Sequence, residues 1–367
     1  MPPLTKPRIA LVLGGGGLKG FAHLGVVRAL RERGIEPALY AGTSIGALLA
    51  GAICCGTTIE ELEARATSLR RIDLFRINRI KILVDRLRAP AVYSDEPLRA
   101  VINELIPRRR FAEAIAPLLV NTVDIESGQQ VVWGLPGLRD VDVRDAVYAS
   151  CALPGAFPPG VVGGQVCVDG GAIDNLPVGV ASYGVDGVVA VDVGSTDIGR
   201  EDGIAQKGFF DISMRAAQIT MSALQREQLG RWTTPPMLLI RPRVNHIGWF
   251  EFGHAPFLIE EGYRAAKEAL DHLPMALTSP GGIYPRRVMA VDVDRDKCTG
   301  CALCTVLAPG LFAMDQDGKA FARERILHWS PAEGAFVQQC PTKAIIVTPL
   351  ERRLAQKELL LADEPTP

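Results

Sequence analysis

What this sequence lacks narrows the field first. No apolar run approaches the ~18 residues of a membrane span, since the stretch 47–55 is interrupted by Gly51. The run after the proline-rich start, residues 9–13, is too short for a secretory h-region. The formal net charge of −1 gives no overall pull toward nucleic acid or an anionic surface. No nucleic-acid partner is therefore expected, and attraction to lipid would have to be local. Histidines are scarce: the five, at 23, 246, 254, 272 and 328, fall in no glycine-rich turn or strand-end motif. The expectation is a soluble cytoplasmic protein, with peripheral contact at the inner membrane left open.

What is present points to one large and one small domain, the natural division of 367 residues. An apolar fraction of 48% is enough to bury a sizeable core. A Pro/Gly cluster at Ser279, Pro280, Gly281 and Gly282 reads as a linker. The expected division is 1–280, 281–350 and a charged tail, 351–367. In the first part, short β-branched runs (8–13, 37–41, 118–124, 130–133, 165–169, 188–193, 237–241) alternate with helical patterns (18–33, 59–69, 96–105, 212–229, 258–272). That alternation predicts an α/β layered fold with a mostly parallel, buried sheet.

Two glycine-rich turns carry chemistry. Gly42-Thr43-Ser44-Ile45-Gly46 follows an apolar strand and opens an apolar helix, the pattern of a nucleophile elbow. Gly15-Gly16-Gly17-Leu18-Lys19-Gly20 also follows a strand and opens a helix, where successive N–H groups can face an oxyanion. The same glycines fit a dinucleotide fingerprint, but that reading needs an acid at the end of the next strand. Glu36, the acid nearby, precedes the strand instead. For a base, His23 reads as a packed or capping residue. Asp169, at a strand end before Gly170-Gly171, could be a tuned carboxylate or a turn residue. Asp124 and Asp192, also at strand ends, are the alternatives.

These blocks, with 149–159 (ASCALPGAFPP) and 169–178 (DGGAIDNLPV), resemble in order those of patatin-like phospholipases, in the bacterial branch similar to neuropathy-target-esterase catalytic domains. The resemblance implies a three-layer α/β/α fold, a Ser44–Asp169 dyad and an oxyanion hole at Gly15, Gly16 and Gly17. It also implies a phospholipid or lysophospholipid substrate, with no cofactor needed for hydrolysis. Lys19 stands where the family more often has arginine, which keeps the charge.

Between the blocks, residues 69–88 are basic, with Ile77, Ile80, Val84 and Leu87 on one helical face. A lid meeting anionic lipid and a surface helix packed on the core are both consistent with that pattern.

Four of the eight cysteines, Cys298, Cys301, Cys304 and Cys340, crowd the C-terminal region. A C-x-x-C-x-x-C triple with a distant Cys-Pro suits an iron–sulfur cubane, whereas zinc ribbons favour two separated pairs. Residues 291–345 resemble single-cluster bacterial ferredoxins, implying a small α+β ferredoxin-like module with one [4Fe–4S] cluster, one-electron transfer and a redox partner. The three-iron [3Fe–4S] form belongs to relatives that replace the middle cysteine; Cys301 is present here. The leading reading is thus a serine lipid acyl hydrolase fused to an iron–sulfur module. The alternative is an electron carrier or redox sensor whose hydrolase fold is a lipid-binding platform.

Overall fold

The computed structural model describes residues 6–76, 91–194, 201–330, 332 and 334–350. The chain divides into two compact units, Met1–Gln228 with Thr233–Gly282, and Leu229–Trp232 with Ile283–Pro367. Among the described residues no helix is long and apolar enough to cross a membrane.

The strands of the first unit are β1 (Ile9–Leu13), β2 (Leu39–Gly42), β3 (Leu118–Asp124), β4 (Gln129–Trp133), β5 (Gly160–Val162), β6 (Gln165–Asp169), β7 (Gly187–Val191) and β8 (Met237–Ile240). They hydrogen-bond in the order β5-β6-β3-β2-β1-β7-β8, with β4 pairing β3. The pairs β3–β2, β2–β1, β1–β7 and β7–β8 are parallel, so the sheet is mostly parallel, as its sequence pattern predicts. β1 and β7 are buried at every position. A central parallel strand covered on both faces has no solvated side on which polar residues would alternate.

The helices of this unit are α1 (Ala22–Glu32), α2 (Ile45–Cys54), α3 (Ile59–Ser68), α4 (Arg71–Leu74), α5 (Glu96–Leu105), α6 (Val143–Cys151), α7 (Val178–Ala181), α8 (Phe209–Gly230), α9 (Ala255–Leu270) and α10 (Leu273–Leu277). α1 packs on α9, and α2 packs on α6 and β2. Helix α3 starts where Thr58 and Glu61 form a reciprocal capping box.

Register positions the site. Gly42 at the end of β2 pairs with Val120 of β3. Two residues further along β3, Thr122 pairs with Asp169 of the antiparallel β6. Ser44 lies two residues beyond Gly42, so the ladder sets Ser44 and Asp169 at one level across β3. In open α/β sheets this carboxyl end of the parallel strands is where ligand sites form.

The second unit begins with a short β9 (Ile283–Tyr284). Strand β10 (Arg287–Val293) lies between two antiparallel neighbours, β13 (Ile326–Trp329) and β14 (Ile345–Pro349). A hairpin joins β11 (Phe312–Met314) to β12 (Ala320–Ala322), and two short helices lie at the cysteines: α11 (Leu303–Leu307), which carries Cys304, and α12 (Ala335–Gln339), which ends just before Cys340. Its core is small: Val291, Phe312, Trp329, Phe336 and Ile345, with Trp329 stacked on Phe336 at 5.3 Å.

Candidate active site

Ser44 sits where β2 hands over to α2. Its backbone, φ 57° and ψ −127°, is one that side chains rarely adopt, and holding it costs on the order of 1–3 kcal/mol. The turn is tight enough to require its glycines. A Cβ on Gly46 would stand 2.0 Å from the Leu13 carbonyl oxygen, and one on Gly42 would stand 2.5 Å from the Gly46 carbonyl carbon. The strained backbone is anchored from α6: the Ser44 N–H donates to Ser150 Oγ at 2.9 Å, and the Ser150 hydroxyl donates to the Asn121 carbonyl at 2.6 Å.

Asp169 closes β6 and is almost completely buried. The Ser44 hydroxyl hydrogen-bonds its carboxylate, and the Gly171 N–H donates to Oδ1 at 2.8 Å. Burial pushes the carboxyl up to about 6, against the opposing pull of those two donors. It is therefore ionised at neutral pH yet basic enough to accept a proton. Its N–H donates to the Ala152 carbonyl at 3.1 Å, so the C-terminal end of α6 holds both members of the pair.

The other candidate bases are engaged elsewhere. Asp124 accepts from the Ser127 hydroxyl (2.6 Å) and the Glu126 N–H (3.1 Å), which hold it below the usual carboxylate range. Asp192 accepts from Arg241 Nε and from the Gly194 N–H, each at 3.2 Å. His23 is fully buried with Nε2 2.8 Å from the Gly14 carbonyl. A carbonyl only accepts, so Nε2 carries the proton. Burial pushes this imidazole down to about 4, and it is neutral at working pH.

The glycine loop divides its donors. The Gly14 N–H bonds the Val191 carbonyl and the Gly15 N–H bonds the Asn175 carbonyl, both at 3.1 Å. Of the three glycines expected to face an oxyanion, Gly15 thus has its N–H committed. The Gly16 and Gly17 N–H groups have no acceptor among the described residues.

Sequence reasoning passed over Asn121, Ser150 and Asn175. Asn121 Nδ2 donates to the Asp174 carbonyl (2.7 Å) and to Thr43 Oγ1 (3.2 Å), while its Oδ1 accepts from Gln130 (2.9 Å). The available signal was a polar residue inside the buried run of β3.

In the second unit, Cys298, Cys301, Cys304 and Cys340 line one cavity with Val293, Leu307, Phe336 and Ile345. No three His, Cys, Asp or Glu side chains among the described residues converge on a point for a single metal ion. The donor set suits a larger group. The Ala320 N–H points at Cys298 Sγ (3.4 Å) and the Ala344 N–H at Cys340 Sγ (3.3 Å), interactions that stabilise thiolate ligands of a cluster. At Cys340, burial raises the thiol, but the Ala344, Thr342 and Ile345 N–H groups and the Thr342 hydroxyl outweigh it and bring it below its ordinary value. Ala302, between Cys301 and Cys304, takes a left-handed φ of 58° that winds the loop back on itself.

Residues 11–182 match the family model of patatin-like phospholipases, and residues 291–347 match that of a 4Fe-4S single cluster domain. The chain carries a patatin-like phospholipase domain. The similarity to NTE-family lysophospholipases agrees with that match. An uncharacterized NTE family protein of Mycobacterium tuberculosis is 31% identical over 196 residues, 53% of this chain and 51% of that protein. Lysophospholipase NTE1 of Mycosarcoma maydis is 31% identical over 295 residues, 72% of this chain but 15% of that protein. The chain thus spans about half the length of the mycobacterial relative and a much smaller share of the fungal one. VipD from Legionella pneumophila is a structural neighbour with a TM-score of 0.39 and 16% identity, over 73% of this chain and 67% of that chain.

Within the patatin-like domain, Phe75 gathers an aromatic cluster with Tyr93 (4.8 Å), Phe250 (5.0 Å), Phe157 (5.7 Å) and Phe252 (6.0 Å). Phe75 lies in the basic stretch, whose later part, 77–88, falls outside the described residues, as does the tail 351–367.

Proposed function

We propose that this chain is a serine lipid acyl hydrolase of the phospholipase or lysophospholipase type, working through a Ser44–Asp169 dyad. The observation that carries this reading is the hydrogen bond from the Ser44 hydroxyl to a buried carboxylate raised to about 6. Asp169 accepts the Ser44 proton as Oγ attacks the ester carbonyl carbon. The negative charge moves onto the carbonyl oxygen, toward the Gly16 and Gly17 N–H groups. Collapse of this intermediate expels the alcohol, which takes the proton from Asp169 and leaves an acyl-Ser44 ester. Water, deprotonated by Asp169, then releases the fatty acid. The class of substrate rests on the relatives' printed activity, the lysophospholipase name of the fungal proteins.

The C-terminal module, proposed to span 281–350, would hold one [4Fe–4S] cluster through Cys298, Cys301, Cys304 and Cys340. A cluster bound there supplies one-electron transfer. The thiol-lined cavity and the N–H groups aimed at two of its sulfurs support this assignment.

The deciding experiment compares the purified holoprotein with Ser44→Ala on a panel of phospholipids, lysophospholipids and soluble esters, with a fluorophosphonate probe as active-site label. The expected result is labelling and hydrolysis in the wild type and neither in Ser44→Ala. Hydrolysis that survives the substitution removes the proposal.

A further inference from the structure

Asn175 and Gly15, 160 residues apart, are joined in both directions. The Gly15 N–H donates to the Asn175 main-chain carbonyl at 3.1 Å, and Asn175 Nδ2 donates to the Gly15 carbonyl, also at 3.1 Å. Because a carbonyl can only accept, this contact fixes which end of the amide is nitrogen. Nδ2 also reaches Gln225 Oε1 on α8 at 3.3 Å, while Oδ1 is buried without a donor. The side chain is pressed against the peptide it holds. A Cβ on Gly15 would stand 2.4 Å from Asn175 Oδ1 and 3.2 Å from Ser44 Cβ.

The Gly15–Gly16 peptide has glycine on both sides, so its own torsions offer little resistance to turning over. In a planar trans peptide the carbonyl of one residue and the N–H of the next point in opposite directions. Holding the Gly15 carbonyl toward Asn175 therefore holds the Gly16 N–H away from it. Turned over, the same peptide would present a carbonyl oxygen where a donor is needed.

We infer that Asn175 is a positioning residue of the oxyanion hole, locking the Gly15–Gly16 peptide so that the Gly16 N–H faces the reacting carbonyl. This rests on the hydrolase reading and deepens it. Asn175 touches no reacting atom; it acts through Gly15.

The test uses full-length holoprotein with Asn175→Ala and Asn175→Asp. Turnover of a soluble p-nitrophenyl ester is measured per active site, the sites being counted by fluorophosphonate titration taken to its end point. A trifluoromethyl ketone, which adds to Ser44 and carries an oxyanion, serves as the second probe. The expected result is a fall in kcat of about 10²–10³-fold, the cost of one oxyanion donor, with KM within twofold. Ketone affinity should fall in step with kcat. Asn175→Asp should be the worse of the two, because its carboxylate repels the Gly15 carbonyl. Being nearly isosteric, it also keeps the test open if the alanine variant does not fold. A kcat within threefold of wild type per titrated site, or a loss confined to KM, overturns the inference while leaving the dyad intact. Wild-type turnover that survives Ser44→Ala removes the hydrolase reading, and this inference with it.

Discussion

Ser150 holds the backbone of Ser44: its hydroxyl oxygen accepts the Ser44 N–H at 2.9 Å while its own proton goes to the Asn121 carbonyl. Ser150 is completely buried, so no water stands ready to replace it. Ser150→Ala should leave a donor and an acceptor unpaired, costing about 1–3 kcal/mol and lowering Tm by several degrees. It should also slow turnover at least tenfold, because the elbow's strained geometry loses its anchor. Calorimetry and ester kinetics check both effects, and a variant unchanged in each would show that the elbow holds itself.

The second prediction concerns Asp169. It must be ionised to take the Ser44 proton, so kcat/KM should rise through about pH 6 and level off above it. For stability the sign is opposite. The folded value lies above the ordinary 3.8, so the group's contribution is present below pH 3.8 and lost as pH rises through 6. Asp169→Asn should therefore lose several orders of magnitude in rate and yet be more stable at pH 8, on the order of 1–3 kcal/mol. Near-wild-type turnover in that variant would move the search to Asp124 and Asp192.

His23 titrates in the same window with the opposite effect. Its folded value of about 4 lies below the ordinary 6.5, so its contribution is present above pH 6.5 and lost as pH falls toward 4. A variant that donates to the Gly14 carbonyl without titrating, His23→Gln, should lose less stability than wild type between pH 7.5 and 5. The difference should be about 2 kcal/mol, from some 1.5 pH units below the free imidazole value. Urea unfolding at the two pH values measures it, and parallel losses would mean the imidazole is not held neutral.

The readable parts of this molecule were those whose cause is local. β3 and β6 have the boundaries expected for 118–124 and 165–169, because a buried strand is written as an apolar run. The tight turn at Ser44 was legible from its glycines, which are there for close backbone approach, whereas the residues alone left Asp169 open beside Asp124 and Asp192 and the family resemblance singled it out. Helix α6 was missed. Asp140, Val141, Asp142 and Val143 alternate with the period of a strand, and the helix beyond them is apolar on most of its surface, so no polar face marks it. With α6 went Ser150. The commitment of the Gly15 N–H was equally invisible, since it depends on a partner 160 residues away that only the folded sheet brings near.

The last prediction concerns the cysteine unit. Its core rests on a few side chains around Trp329 and Phe336, and a second small cluster is built from Cys298 itself with Ala320 and Ala344. So small a core leaves much of the stability to whatever the thiols bind, and metal-site binding energy is folding energy in such modules. As isolated, the protein should carry about four irons per chain if all four cysteines ligate. Cys301, the exposed member of the set, is the informative position: Cys301→Ser should lower iron content and remove an early thermal transition belonging to residues 283–350. Ser44 lies in the other compact unit, and each hydrogen-bond partner named for it lies there too. Fluorophosphonate labelling of Ser44 and soluble-ester turnover should therefore persist in Cys301→Ser and in the iron-free protein. Turnover that changes severalfold between oxidised, reduced and iron-free forms would show instead that the two units are energetically coupled.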